Sequence, residues 1–290
     1  MALVKQWVLF LLIFVSMVTP SFADSPVWKV SKGDHHLFVG GTIHLLSKSD
    51  YPLPPAFEQA YKQASLLVFE TDLEALTDPE FQKYMMNAVT YQNGTSLKEV
   101  LSAETYEAMA NYLSERGVPM DRLPNFKAGM MSVTMSLVEL QRLGMTGTGV
   151  DEFYNLKALQ DEKGIGELET VETQVDFIAN MGEGQEDELI RYTLEDLKNL
   201  NELMKDLKHA WRHGDLAKME KDMMLPLKKD FPDVYHQMLV ERNNAWLPQL
   251  ENMMKDKRVE FVLVGALHLV GEDGVIHQLK KRGYKVEIVK

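Results

Sequence analysis

The sequence of 290 residues contains no cysteine. A chain without cysteine has no disulfides, no thiol nucleophile and no cysteine-ligated zinc. Cysteine proteases, thiol redox proteins and zinc knuckles are therefore excluded. The sequence also lacks the Gly-x-Ser-x-Gly elbow of α/β-hydrolases and the His-Glu-x-x-His helix of common metalloproteases.

Basic residues are scarce relative to acidic ones, with 31 Lys and Arg against 43 Asp and Glu and a formal net charge of −12. Such an acidic chain is repelled by phosphates and by anionic lipid. We therefore expect neither nucleic acid nor an anionic membrane as a partner. The chemistry of the candidate residues, given below, leads us to expect a peptide or small ester substrate.

The apolar run Trp7–Val18 is too short to span a membrane. Lys5 precedes it, and Ser21-Phe22-Ala23 places small residues at the cleavage positions. This pattern predicts a secretory signal peptide at residues 1–23, with an uncleaved anchor as the alternative. The protein is then periplasmic or secreted, residues 24–290 form its hydrolase domain, and no membrane span remains after cleavage.

Two distant stretches, Leu37–His44 and Phe261–His268, share one pattern: a short apolar run that ends in Gly-x-x-His. A glycine at the end of a strand lets the backbone turn sharply or approach a ligand. In open α/β sheets, ligands bind at the carboxyl ends of the strands. Gly33/His36 and Gly274/His277 have the same spacing, but they lie in a turn and in a helical pattern. His44 and His268 are therefore the candidates.

The segments around the first motif predict a β-α-β unit: the strand His35–Ile43, the helix Ala56–Ala64 and the strand ending in Glu70. Because such crossovers are right-handed, both strands point the same way. We expect His44 and Glu70 at neighbouring carboxyl ends.

The plan recurs near the C terminus, as the strand Val259–Gly265, the helix Gly274–Arg282 and the strand Tyr284–Val289. The residues between the two repeats are mostly helical, and the Met-rich run Met130–Met135 is predicted to fill a core. The predicted fold class is therefore α/β, with a central sheet from two β-α-β repeats at the chain ends. A large helical insertion, which includes the long helix Glu186–His213, is expected to cap the rim of this sheet.

The chemistry of the candidate residues favours metal-assisted hydrolysis. Two neutral imidazoles, His44 and His268, with the carboxylate of Glu70 suit a divalent ion such as Mn, Co or Zn. Such an ion lowers the pKa of a bound water and polarises a carbonyl. Glu169, Glu241 and Arg242 are the catalytic candidates, with a second carboxylate as the general base and the arginine for a developing oxyanion. The alternatives are hydrogen-bonded histidines at strand ends, solvated charges, and a surface ion pair between Glu241 and Arg242.

The same residues resemble the TraB/PrgY/GumN family, which includes the Tiki-type Wnt-cleaving metalloproteases. The resemblance covers nearly the whole chain after residue 23 and lies in five ordered pieces: Gly41–Leu46, Glu70, Leu168–Gln174, Glu241–Asn243 and Gly265–Gly271. It implies an α/β fold with paired Gly-x-x-His motifs around a metal centre, distantly similar to erythromycin esterases and ChaN-like proteins. It also implies that His44, Glu70 and His268 form the core of the site, with Arg242 and Glu169 as helpers.

From these residues we expect an exported metal-dependent hydrolase, specifically a peptidase. The alternative is a non-catalytic protein that sequesters a peptide or a haem-like ligand, because some members of the family are described as inhibitors of peptide pheromone signalling. Met-rich, apolar helices in the middle of the chain would suit such a groove.

Overall fold

A computed structural model of the protein describes residues 25–290. The predicted signal peptide, residues 1–23, lies outside the described residues. Within residues 25–290, no helix is both long enough and apolar enough to cross a membrane.

In the part of the chain that the structure describes, eight strands form two sheets. They are β1 Val27–Lys32, β2 His35–Thr42, β3 Leu45–Leu46, β4 Leu66–Phe69, β5 Gly147–Thr148, β6 Gly164–Glu167, β7 Glu260–Gly265 and β8 Lys285–Ile288. Six of them make the central sheet in the order β6-β4-β7-β2-β1-β8, and β3 pairs with β5. Strands β6, β4, β7 and β2 are parallel, while β1 is antiparallel to both of its neighbours. The predicted α/β class is confirmed.

The prediction that the strands before His44 and Glu70 are neighbours is wrong, because β7 lies between β2 and β4. Strand β7 thus enters the middle of the sheet, whereas the last strand of the chain, β8, lies at an edge. All three strands still run in one direction, so their carboxyl ends share one rim.

The inner strands β2, β4 and β7 of the central sheet are buried on both faces, whereas the edge strands β6 and β8 are largely exposed. On one face Phe38 and Phe261 pack against Phe57, Tyr154 and Trp211. On the other face, apolar side chains of β2 and β7 pack against two helices near the C terminus, Arg242–Met253 and Val275–Lys281. This cluster includes Leu37, Val262, Leu250 and Leu279. Burial of each such side chain stabilises the fold by about 1.5–3 kcal/mol, which explains the near-continuous apolar runs of β2 and β7.

Thirteen helices surround and extend the sheet in the described residues. They are α1 Pro55–Gln63, α2 Pro79–Val89, α3 Leu97–Val100, α4 Ala103–Glu115, α5 Ala128–Arg142, α6 Val150–Gln160, α7 Val171–Asn180, α8 Glu186–Arg212, α9 Leu216–Met219, α10 Leu225–Asp230, α11 Pro232–Tyr235, α12 Arg242–Met253 and α13 Val275–Lys281. The π-helical segments Glu220–Met224 and His236–Glu241 join α9 to α10 and α11 to α12, and a 3₁₀ turn, Ala266–Leu269, follows β7.

The helical insertion has an apolar core of its own, to which α2, α3, α4, α5, α7 and α8 contribute. Met131 and Met135 are fully buried in it, which confirms that the Met-rich run fills a core. The long helix α8 ends within one residue of its predicted boundary. Helix α7 brings this insertion to the rim of the sheet, because Gln174 on α7 donates to Glu70.

Candidate active site at the carboxyl rim of the sheet

Five of the six predicted site residues lie at the carboxyl rim. His44 follows β2, Glu70 follows β4, Glu169 follows β6, and His268 lies in the 3₁₀ turn after β7. Arg242 is the first residue of α12 and reaches the rim from one face of the sheet. Glu70, Glu169, His268 and Arg242 are joined by direct contacts.

Glu241 is not part of this cluster. Its side chain is 58% exposed and forms an ion pair with His236, at 3.1 Å. Adjacent residues on a helix point about 100° apart, so the arginine of Glu241-Arg242 turns inward and the glutamate outward. The structure therefore does not bring Glu241 to the site.

Arg242 uses every N–H of its guanidinium inside the protein. Nη2 donates to Glu70 Oε2 at 2.6 Å and to Glu169 Oε1 at 2.6 Å, and Nε donates to both oxygens of Glu169. Nη1 donates to His268 Nε2 at 3.0 Å and to the Met238 carbonyl at 3.3 Å. A guanidinium has five N–H donors, so none is left for an oxyanion or a substrate carboxylate. In this arrangement Arg242 therefore has no free N–H with which it could stabilise an oxyanion, the role that the sequence predicts.

Glu169 is equally occupied. Besides Arg242, its carboxylate accepts hydrogen bonds from Gln174 at 3.0 Å and from the Trp246 indole at 3.1 Å. Its side chain is 8% exposed. A carboxylate with all its acceptor positions filled holds its neighbours in place and is poorly placed to take a proton.

Glu70 is the carboxylate that faces open space. Oε1 accepts the Gly265 N–H at 2.6 Å, and Oε2 accepts from Arg242 and Gln174. Burial raises the pKa of the Glu70 carboxyl, but the Arg242 guanidinium, the protonated His44 and the Gly265 N–H outweigh it and hold the pKa below its ordinary value. Glu70 is therefore ionised at neutral pH.

The contacts of His268 fix its tautomer. Because the guanidinium can only donate, Nε2 of His268 must accept and carries no proton. Nδ1 then holds the proton and donates to Asn243 Oδ1 at 2.8 Å. Asn243 is held in turn, because its amide donates to the carbonyls of His268 and Asp273. Burial lowers the pKa of His268 to about 3, so the ring is neutral and both of its nitrogens are in use.

His44 has a different environment. Its side chain is 65% exposed, and Nδ1 lies 3.0 Å from Asp151 Oδ2. The attraction of this carboxylate raises the pKa of His44 well above its ordinary value. The ring also lies close enough to Glu70 for the two charges to influence each other. The two Gly-x-x-His motifs are thus unequal: one histidine is closed in a network, and the other is open.

Asp151 was missed by the sequence-based prediction. It stands near the start of α6, directly after the Gly/Thr-rich turn Gly144–Gly149. This turn packs on the first motif, because Val150 N donates to the Ile43 carbonyl at 3.1 Å. The sequence does contain a signal for Asp151: it is an acidic residue two positions after Gly149, the glycine at which the helix begins. Its contact with His44, however, depends on tertiary structure.

Replacement of Gly149 by alanine should lower the free energy of unfolding by about 1–3 kcal/mol, the usual penalty for forcing extra volume into a packed site. A Cβ on Gly149 would collide with the backbone carbonyl of His44. Urea unfolding at pH 7 measures the effect, with Gly184→Ala as the comparison. Gly184 has open space around its Cβ position but a positive φ of 77°, so it reports the cost of backbone strain alone. Equal losses in the two variants would contradict the prediction.

The glycines of both motifs allow close approach of the backbone. A Cβ on Gly41 would lie 3.2 Å from Ala266 Cα, and a Cβ on Gly265 would lie 3.2 Å from Glu70 Oε1. Any larger side chain would push the two motifs, or Glu70, apart.

A cavity of about 270 Å³ opens beside His44 and Glu70. Its polar lining is Thr42, His44, Glu70, Thr71, Asp151 and Gln174, and its apolar lining is Phe69, Leu73, Leu76 and Leu263. Three buried oxygens of these residues have no hydrogen-bond partner: Thr42 Oγ1, Thr71 Oγ1 and Asp151 Oδ1. Buried polar atoms are nearly always paired, so three unpaired oxygens around one cavity indicate a place for a polar ligand or water.

The arranged residues do not fit the predicted metal centre of His44, Glu70 and His268. The Nε2 lone pair of His268 and one oxygen of Glu70 are already engaged by Arg242. Within residues 25–290, no three His, Asp or Glu side chains form a group that could hold a metal ion.

Comparison with known proteins gives a family and two relatives. The model of the TraB/PrgY/gumN family matches residues 26–288. The protein YbaP of Escherichia coli (strain K12), described as uncharacterized, is 24% identical over 249 residues, which cover 86% of this chain and 89% of YbaP. YbaP of Shigella flexneri, with the same description, matches to the same extent. No solved structure matches the chain.

Proposed function

The chain belongs to the TraB/PrgY/gumN family, and from this membership and the geometry of the rim we propose that it is an exported hydrolase of peptide or ester bonds. The observation that carries the proposal is the open His44–Asp151 pair beside Glu70, at a cavity with three unpaired buried oxygens.

In this proposal His44 moves the proton. Asp151 holds Nδ1–H of His44 and raises the pKa of the ring, so at neutral pH the ring is protonated and its Nε2–H is a general acid; the neutral form, whose fraction grows with pH, can take a proton from a water molecule at Nε2. A nearby carboxylate makes an imidazole a stronger base and fixes its orientation, as in the histidine–aspartate pair of serine proteases. Glu70, held by Gly265 and Arg242, places a second, ionised carboxylate at the same cavity.

The threonine hydroxyls supply donors for the substrate oxygen. Arg242 has no free N–H, whereas the hydroxyls of Thr42 and Thr71 have no partner. A hydroxyl that can donate to a developing oxyanion stabilises the transition state more than the ground state. Gln174 completes the polar wall of the cavity.

The divalent metal ion stays a prediction and has no step in this proposal, since Glu70 and His268 are engaged by Arg242.

Export likewise stays a proposal. Mass spectrometry of the N terminus of the protein recovered from periplasm or culture medium tests it, and a mature chain that starts at Asp24 is the expected result.

The test of the hydrolase proposal is a panel of fluorogenic peptides and p-nitrophenyl esters, assayed with purified protein both with added Mn²⁺, Co²⁺ or Zn²⁺ and with a chelator. We expect turnover by the wild type and a loss of about 10²-fold or more in His44→Ala, the usual contribution of an acid–base residue. His277→Ala is the matched control, because His277 has the same Gly-x-x-His spacing but is exposed on α13. Turnover that is absent under every condition, or equal in both variants, would overturn the proposal.

Replacement of Thr71 by valine should lower kcat about 10²-fold while leaving the free energy of unfolding unchanged or higher. Valine keeps the shape of threonine and removes a buried hydroxyl that has no partner. The control is Thr105→Val, in which a buried hydroxyl loses a hydrogen bond from Ser102 at 2.9 Å. That variant should lose about 1 kcal/mol of stability and keep its kcat. Steady-state kinetics and urea unfolding of both variants distinguish a role at the reacting atoms from a role in folding.

The alternative function is sequestration of a peptide. A cavity of about 1030 Å³ lies between α4, α8 and residues 229–231, away from the rim, and Tyr112, Tyr192 and Phe231 line it. Its lining contains no histidine, methionine or cysteine; tyrosine is the one type of haem-iron ligand in it, and the Tyr112 hydroxyl already donates to Glu139, so the cavity favours a peptide. Peptide binding that survives both chelation and His44→Ala would support this alternative over hydrolysis.

A further inference from the structure

Arg242 holds the place between Glu70, Glu169 and His268 that a cation would take. We infer that its guanidinium is the resident cation of the site, and that a divalent ion can bind to Glu70 and His268 only after this side chain has left. The inference rests on contacts alone, so it stands whether or not the chain hydrolyses a bond.

The charges require one cation at this position. Glu70 and Glu169 have side chains that are 10% and 8% exposed, and both contact Arg242 at 2.6 Å. His268 contributes no charge, because its Nε2 accepts from the guanidinium and its Nδ1–H donates to Asn243. Two buried carboxylates beside a neutral ring would be strongly disfavoured without a positive partner. Arg242 is that partner.

The directions of the contacts show why an ion and the guanidinium exclude each other. A metal would need the Nε2 lone pair of His268 and an oxygen of Glu70, and Arg242 uses both. The planar guanidinium meets acceptors that follow three different strands, β4, β6 and β7, and a flat fork with five donors suits such an arrangement better than a point charge does. The arginine is also held from behind, by the Met238 carbonyl and by the face of the Trp246 ring at 4.9 Å.

The consequence is competition between Arg242 and any divalent ion. An ion that enters this place must break the ion pairs to two carboxylates and the contact to His268, and it must also make room for the displaced side chain. In a variant without the guanidinium, the same two carboxylates and a free Nε2 offer oxygen and nitrogen ligands of the kind that Zn²⁺ or Mn²⁺ takes, and they form a site only by moving together into the vacated space, because as arranged in the described residues they make no such group.

The first experiment uses the wild-type protein, free of any histidine tag, with ¹⁵N-labelled histidine. Long-range ¹H–¹⁵N NMR spectra assign the tautomer of each ring, and ZnCl₂ is then added to an equimolar amount. We expect His268 to be neutral with its proton on Nδ1, and to keep its shifts on addition of zinc. Zinc-induced shifts confined to His209 and His213, an exposed pair on the surface, would agree with this expectation, because they indicate that zinc binds there and not at His268. Stoichiometric zinc binding that changes Nε2 of His268 would overturn the inference.

The second experiment compares Arg242→Met with the wild type by isothermal titration with ZnCl₂ and with MnCl₂. We expect the variant to gain a site at least tenfold tighter than any in the wild type, and to lose it again in Arg242→Met/His268→Gln. Zinc should also raise the Tm of the single variant more than that of the wild type, which gives a reading even where the variant is only partly folded. A folded Arg242→Met protein that gains no metal affinity would overturn the inference, and so would equally tight binding by the wild type at Glu70 and His268.

Discussion

Replacement of Arg242 by methionine should lower the free energy of unfolding by about 3–5 kcal/mol, the range found when one partner of a buried ion pair is removed. The side chain of Arg242 is 13% exposed, and its two carboxylate partners are more buried still. Methionine has a similar length but no charge, so Glu70 and Glu169 would be left side by side with no cation between them. Urea unfolding at pH 7 measures the loss.

Two comparisons show whether the loss comes from the network. Arg258→Met removes an exposed ion pair, in which the side chains of Arg258 and Asp256 are 65% and 49% exposed, and it should cost less than about 1 kcal/mol. Addition of Glu70→Gln and Glu169→Gln to Arg242→Met should recover part of the lost stability, since the unpaired charges are removed together. A loss below about 1 kcal/mol in Arg242→Met itself would contradict a buried, fully paired arginine.

The convergence of His44 and Glu70 could be predicted from the sequence, because each piece of the argument is local. A β-rich run that ends in Gly-x-x-His places its histidine at a strand end, and the right-handed crossover gives strands β2 and β4 one direction. These rules bring His44 and Glu70 to one rim without any knowledge of the strand order. The strand order could not be predicted from these rules, because nothing in the sequence of β7 indicates that it pairs between β2 and β4.

The different environments of the two motif histidines could not be predicted from the sequence. His44 and His268 stand in near-identical sequence contexts, yet one is 65% exposed and the other 5% exposed. The difference comes from Asn243 and Trp246 on α12, which pack on His268 and bury it, whereas His44 pairs with Asp151 on α6 and leaves most of its ring exposed. Helix α12 shortly precedes the second motif in the sequence, but its register against the rim is a result of tertiary packing.

The same limit explains the choice between Glu241 and Arg242. A helix that begins with two charged residues indicates that one of them can face inward, but not which one. A π-helical segment, His236–Glu241, precedes α12 and adds residues to its turn. A 3.6-residue pattern read through this segment loses its phase, so the sequence does not show which of the two charged residues faces the rim.

Glu260 shows the opposite case to Arg242, a buried charge without partners. It is the first residue of β7, lies opposite Leu66 of β4, and is fully buried, and neither of its carboxylate oxygens has a hydrogen-bond partner in the structure. Burial raises the pKa of the Glu260 carboxyl, with Asp256 adding to the effect. Replacement by methionine should therefore raise the free energy of unfolding by about 2–3 kcal/mol, since an unsatisfied polar group in an apolar core costs about that much.

The gain should also depend on pH in a defined direction. In the unfolded chain Glu260 ionises above about pH 4.5, whereas the folded protein keeps the proton to higher pH. The unfolded state then binds fewer protons, so Glu260 makes the wild type lose stability as pH rises above about 4.5, until the folded carboxyl itself ionises. The advantage of Glu260→Met over the wild type, measured by urea unfolding between pH 5 and pH 8, should increase with pH. Glu260→Gln, which cannot ionise, should share this increase, whereas Glu287→Gln on the exposed strand β8, where Glu287 pairs with Lys285, should change stability by less than about 0.5 kcal/mol. A Glu260→Met protein that is less stable than the wild type would show that this carboxyl has a partner in solution.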